Sequence, residues 1–103
     1  MNLKGTLPVL ILQVLSAGDR HGYAIAQEIN QRSEGALDFK EGSLYPALHA
    51  QEQKGLIESF EVTRNGRRRR QYRLTRAGVE HLESQRREWR LLAGAVSSIL
   101  ETA

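Results

Sequence analysis

The residues with the most to offer chemically are arginines. Arg67, Arg68, Arg69 and Arg70 run consecutively, with Arg64 just before them and Arg73 and Arg76 just after. Residues 56–76 hold seven arginines against two glutamates, whereas 1–55 and 77–103 each carry a net charge of −1. Positive charge focused in so short a stretch suits a polyanion. The common catalytic groupings are missing. His21, His49 and His81 have no metal-ligand spacing, and there is no cysteine to assist them or to form a disulfide. No glycine-rich loop leads into a lysine at the start of a helix, and no carboxylate pair can be assigned to acid–base work. The expectation is a chain that is no enzyme and holds neither metal nor cofactor.

The arginines need a scaffold, and the local pattern supplies one. Asn65-Gly66 lies between two runs that suit strands, Ile57–Thr63 and Arg68–Leu74. That dipeptide is the strongest short hairpin signal. A two-residue turn there sets Arg64 opposite Arg67, Val62 opposite Arg69, Glu61 opposite Arg70 and Glu58 opposite Arg73. Ile57, Tyr72 and Leu74 then share one face at the hairpin base. In this register Arg70 and Arg73 face carboxylates and are structural, while Arg64, Arg67, Arg68 and Arg69 have no acidic partner. Four such charges at a hairpin tip repel one another, and phosphates would relieve the repulsion.

Helical spacing accounts for the rest. Thr6 is read as the cap of a first helix with Pro8 in its first turn, followed by Leu7, Leu10, Ile11, Val14 and Leu15. Val9 and Leu12 add a second apolar side, which calls for a second partner. Gly18-Asp19-Arg20 reads as a turn. A second helix spans about Gly22 to Ser33, with Tyr23, Ile25, Ala26 and Ile29 inward. Leu37-Asp38-Phe39 fits a short strand. A third helix is expected from Ser43, as N-cap, to Gly55, because Pro46 is acceptable only in a first turn. Leu44, Ala47, Leu48 and Gln51 lie on its inner face, His49 on the outer face and Tyr45 at the flank.

Ser43 can hold a phosphate at the helix start or serve only as a cap. Tyr45 can reach the backbone of a duplex or pack against the hairpin or second helix; His49 has the bland alternative of a plain exposed residue. Lys40, just ahead, fits a phosphate contact. Thr75 caps a last helix of about 40 Å at 1.5 Å per residue, too long for so small a domain to cover. Leu82, Trp89 and Val96 recur every seven residues on it, as do Leu92 and Ile99, making a short seam interrupted by Gln85.

Three helices, a hairpin and a helix make a mostly α fold with a small β-hairpin: a winged helix-turn-helix plus a long C-terminal dimerisation helix. The expected division is 1–76 for DNA binding, with the wing at 57–74, and 77–103 for dimerisation. Ordered strings along nearly the whole chain resemble the PadR family of bacterial transcriptional regulators, in its short-tailed subgroup. They are Gly5-Thr6-Leu7, His21-Gly22-Tyr23, Gly42–Leu48, Lys54-Gly55-Leu56-Ile57, Arg67-Arg68-Arg69 and Tyr72–Gly78. Gln71 departs from the pattern, which often has a second aromatic before Tyr72.

The resemblance implies a homodimer whose last helix packs on the first helix and on the partner chain. It also implies an inverted-repeat operator and repression relieved by a ligand or another signal. It assigns Tyr23 to the DNA backbone and turns Ser43 and Tyr45 toward DNA. In some relatives flat apolar compounds sit between the long helices; here Trp89 is the residue that would stack a small apolar or aromatic effector, or else simply fill the dimer core. The expected dimer residues are Val9, Leu12, Leu82, Trp89, Leu92, Val96 and Ile99. The longest apolar run, Leu7 to Leu12, is too short to span a bilayer, and the N-terminus lacks a signal-peptide pattern, so the cytoplasm is the expected location. The competing reading is a winged helix used only to dock another protein; unpaired wing arginines and the polar outer face of helix three favour double-stranded DNA.

Overall fold

A computed structural model describes residues 3–101, and side chains from Gly5 onward. The outermost residues of the two expected segments, 1–2 and 102–103, lie outside the described residues. The elements are α1 (Leu3–Leu15), β1 (Arg20–His21), α2 (Gly22–Arg32), α3 (Glu41–Gln53), β2 (Ile57–Arg64), β3 (Arg67–Leu74) and α4 (Arg76–Leu100). The three strands form one antiparallel sheet in the order β1-β3-β2. This is a winged helix followed by a long helix that carries the molecule to 60 Å in its longest dimension.

One core holds the chain from α1 to Leu82 together. Leu7, Ile11, Leu12 and Leu15 of α1 meet Ile25 and Ile29 of α2, Leu44 and Leu48 of α3, and Ile57 and Tyr72 of the sheet; Leu82 of α4 closes the cluster. α1 is therefore the hub, which explains why it is apolar on more than one side.

The hairpin follows the expected register throughout, with Arg64 opposite Arg67 and Ile57 opposite Leu74. Asn65 at φ 51° and Gly66 at φ 75° take the two left-handed positions that a type I′ turn requires. Thr75 caps α4 as expected: its Oγ1 accepts the Gly78 N–H at 3.1 Å and donates to the Gly55 carbonyl at 2.6 Å.

Other boundaries differ from the sequence expectations. α1 begins by Leu3, so Thr6 is inside the helix and not its cap. α3 begins at Glu41 behind Lys40, whose side chain makes no capping bond, so Ser43 is the third helical residue and not the N-cap. Pro8 and Pro46 thus each sit sixth in their helix, in the second turn. A second-turn proline forfeits one helical hydrogen bond and crowds the carbonyl four residues back; burial of Leu7 and Ile11, and of Leu44 and Leu48, offsets that cost. Arg20, read as part of a turn, is instead in β1: Arg20 pairs with Tyr72 and His21 with Gln71. Leu37-Asp38-Phe39 forms no strand; Phe39 is buried as an irregular segment leads into α3.

Candidate nucleic-acid interface

β3 brings the arginines to the same end of the molecule as the start of α2 and the exposed side of α3. Arg73 is used structurally, as expected. Its Nε meets Glu58 Oε1 at 2.6 Å and its guanidinium lies 4.6 Å over the Phe60 ring. Glu61 behaves otherwise. It does not take Arg70, directly opposite, but Arg68, on the diagonal, at 3.7 Å. Diagonal neighbours on one face of a sheet lie within reach of long side chains, and Arg70 is instead drawn to the hydroxyl of Tyr72. Burial holds the Tyr72 phenol above its ordinary pKa, and Arg70 partly counters this. Among the described residues, Arg64, Arg67, Arg69 and Arg70 have no carboxylate within 4.0 Å. The count of four holds, but Arg70 replaces Arg68 in it.

An open cleft of about 710 Å³ lies where α2, α3 and β3 converge. Buried Gly22 and Tyr72 line it together with His21, Tyr23, Gln27, Tyr45, Arg69 and Arg70. Tyr23 is 60% exposed and points away from the core, which corrects the inward placement read from helical spacing. Its ring lies parallel to that of His21, with centroids 6.5 Å apart. Tyr45 combines both alternatives raised for it: its ring packs over Gly22, where a Cβ would come within 3.0 Å of the ring and hydroxyl, yet it stays exposed enough to reach outward.

A second groove of about 390 Å³ continues from this cleft between α2 and the start of α3, sharing Tyr23 and Tyr45 and reaching Lys40. Lys40 Nζ bonds Asp38 Oδ2 at 2.8 Å, which holds the ammonium above its ordinary pKa and leaves it cationic. Of the expected contacts, then, the structure gathers Tyr23, Lys40, Tyr45 and Arg69. Arg64, Arg67 and Arg68 stand out at the hairpin, toward its tip. Ser43 and His49 lie on α3 outside both clefts, Ser43 half-buried and His49 exposed.

Sequence reasoning missed His21, Gln27 and Arg70. A histidine immediately before the glycine that opens α2 sits at an N-cap position, and that was the available signal. His21 Nδ1 accepts the Ala24 N–H at 3.3 Å, while Arg69 Nη1 lies 3.2 Å from Nε2. Burial, and secondarily Arg69, hold the imidazole below its ordinary pKa.

On the far side, α4 runs out beyond the core. Trp89, Leu92, Val96, Ile99 and Leu100 are exposed along it. At 100° per residue they share the face that Leu82 occupies one or more turns earlier. Two expected dimer residues are already used within the chain: Leu12 and Leu82 are 0% and 3% exposed in the core, leaving no surface for a partner. Val9 instead lines an apolar groove of about 400 Å³ between α1 and α4, with Leu10, Leu37 and Trp89.

Comparison with known proteins agrees with this architecture. Residues 11–84 match the sequence profile of the "Transcriptional regulator PadR-like family". The chain is similar to the transcriptional regulator Rv3488 of Mycobacterium tuberculosis, at 36% identity over 86 residues, covering 84% of this chain and 78% of that protein. It superposes on a PadR family transcription regulator from Clostridium difficile with a TM-score of 0.83 at 36% identity, covering 92% of this chain and 98% of that one. A transcriptional regulator from Clostridium thermocellum gives 0.87 at 29% identity, covering 94% and 92%.

Proposed function

The chain belongs to the PadR-like family of transcriptional regulators, and from that premise we propose that it is a homodimeric repressor of an inverted-repeat DNA operator. The observation that carries this reading is the set of arginines without carboxylates, Arg64, Arg67, Arg69 and Arg70, beside the cleft that ends at α3. Each arginine that meets a phosphate releases counterions, which drives association and makes it salt-dependent. Lys40, Tyr23 and Tyr45 extend the same surface along the duplex. Ser43 and His49 lie on the part of α3 that enters the major groove, where side chains read base edges.

The dimer follows from α4. Among the described residues, the apolar face carried by Trp89, Leu92, Val96 and Leu100 stays exposed. A second copy of the same helix, with α1 alongside, buries it and pairs two wings for two half-sites. Residues 1–76 then bind DNA and 77–103 set their spacing, with Val9, Trp89, Leu92, Val96 and Ile99 in the contact. The groove at Trp89 suits a small apolar or aromatic effector whose binding alters that spacing and relieves repression. No described helix is long and apolar enough to cross a membrane; a cytoplasmic location is part of the same proposal, since the DNA it would act on lies there.

Footprinting on the DNA upstream of its own gene tests the reading. Two protected half-sites related by a dyad, lost as salt rises, are expected. No protection and no gel shift at low salt would instead favour a winged helix that docks another protein.

A further inference from the structure

The contacts of His21 with Arg69 and with the Ala24 N–H cannot both be satisfied by one imidazole. A neutral imidazole carries one N–H and one lone pair. The Ala24 N–H, 3.3 Å from Nδ1, can only donate, so the helix cap claims the lone pair there. The ring proton then lies on Nε2, 3.2 Å from Arg69 Nη1, and a guanidinium also only donates. Moving the proton to Nδ1 shifts the conflict to Ala24, and a doubly protonated ring has it at both ends. In the tautomer that caps α2, two donors converge with no acceptor between them, and an oxygen bearing lone pairs is what both lack.

We infer that His21 and Arg69 form a two-donor seat for one phosphate oxygen of the DNA backbone, filled with the imidazole neutral and its proton on Nε2. The inference rests on the DNA-binding reading and adds to it a specific anchor at the junction of α2 and the wing.

The surroundings fit an anion and a neutral ring. From α2, Tyr23 stacks on the imidazole, and from α3 Tyr45 lies over Gly22. From β3, Arg70 and Tyr72 share the cleft with Arg69. On β1 the neighbouring Arg20 is turned to Glu28 at 3.3 Å, which occupies the nearest acidic group of α2 with another cation. The ring thus faces arginines and phenols. Both burial and Arg69 oppose its protonation. The seat also opens onto the cleft between α3 and the wing, the two elements that meet a duplex in this fold.

His21→Asn separates the seat from the cap, because an asparagine oxygen caps a helix well but is too short to offer Arg69 a neighbouring donor. On the full chain, at about pH 8 and above the imidazole range, His21→Asn should melt like the parent. It should bind a short duplex from its own upstream DNA roughly three- to tenfold more weakly. Its salt slope should be unchanged, since no charge has been removed. Arg69→Gln should weaken binding and lower the slope by about one. Imidazole nitrogen NMR should show Nε2 protonated in the duplex complex, with inorganic phosphate alone producing a much smaller shift.

Unaltered duplex affinity in His21→Asn, or a proton on Nδ1 in the complex, overturns the seat while leaving the repressor reading intact. A full shift with inorganic phosphate that duplex does not reproduce overturns the assignment to DNA backbone. Failure of the parent chain to bind any duplex sinks the wider reading along with it.

Discussion

Gly78 of α4 lies directly beneath the backbone carbonyl of Leu56, so close that a methyl group there would overlap the carbonyl oxygen and crowd Leu74. Thr75 locks the same joint. Its N–H donates to the Leu56 carbonyl at 3.1 Å, and its hydroxyl ties the Gly55 carbonyl to the first turn of α4. The entry to the wing and the root of α4 are therefore one rigid unit. In the proposed dimer, a change in how the two α4 helices pack would move the wings with them, the mechanical coupling that the proposed effector relief requires.

Gly78→Ala tests that joint. Backbone cannot move aside as the end of a flexible side chain can, so the cost is that of overpacking, about 1–3 kcal/mol. Thermal melts should show the loss. Val79→Ala, one residue on at an exposed position, should melt close to the parent. A Gly78→Ala chain as stable as the parent would mean the joint is loose.

The arginines should separate by role in salt titrations of duplex binding. Arg64→Ala and Arg67→Ala together should lower the slope of log affinity against log salt by about two. Arg73→Ala should leave it unchanged, because that guanidinium is engaged by Glu58 and Phe60. Arg68 is the informative intermediate. Its pair with Glu61 is 3.7 Å long and exposed, worth little in water. Arg68→Ala should still cost slope, though less than Arg69→Ala.

Leu92 and Leu82 test the division of labour along α4. Leu92 is 57% exposed, so Leu92→Glu should leave the fold intact and convert a sedimenting dimer to monomer, since the charge would be buried unpaired in the contact. Trp89, at 44% exposure, should report the same event as a red shift of its emission. Leu82→Ala should instead destabilise each chain by about 2–5 kcal/mol through its core. A Leu92→Glu chain that still sediments as a dimer would place the contact elsewhere.

How much of this was legible beforehand depends on the range of the interaction responsible. The hairpin register was fully legible, because Asn65-Gly66 supplies both left-handed residues of a two-residue turn and leaves one pairing. The Thr75 cap and the inner face of α3 were legible for the same local reason. β1 was not: two residues carry no alternation, and they are a strand only because β3 presents an open edge to them. Local pattern places the starts of α1 and α3 too late, because a proline is locally acceptable only in a first turn while core burial decides where the helix begins. Spacing along α2 put Tyr23 inward, but the core takes Ile25 and Ile29 and leaves that ring to the cleft. At the site, the excess of guanidinium over carboxylate was legible from composition. Which arginine lost its partner was not, because Glu61 chose a diagonal neighbour over the one opposite.

The last prediction concerns pH and follows from His21. Its imidazole is held below the ordinary value in the folded chain, by burial first and by Arg69 second. The unfolded chain therefore takes up the proton first as pH falls, and stability decreases wherever the unfolded state binds more protons. The contribution is fully present above the unfolded imidazole value. It is lost progressively as pH drops from there to the folded value, and is constant below that. Denaturant melts at intervals from about pH 8 to about pH 5 should show this decline. It should be smaller in His21→Asn, whose side chain does not titrate in this range. If the parent and His21→Asn track each other through that window, burial and Arg69 do not oppose protonation of His21 in the folded chain.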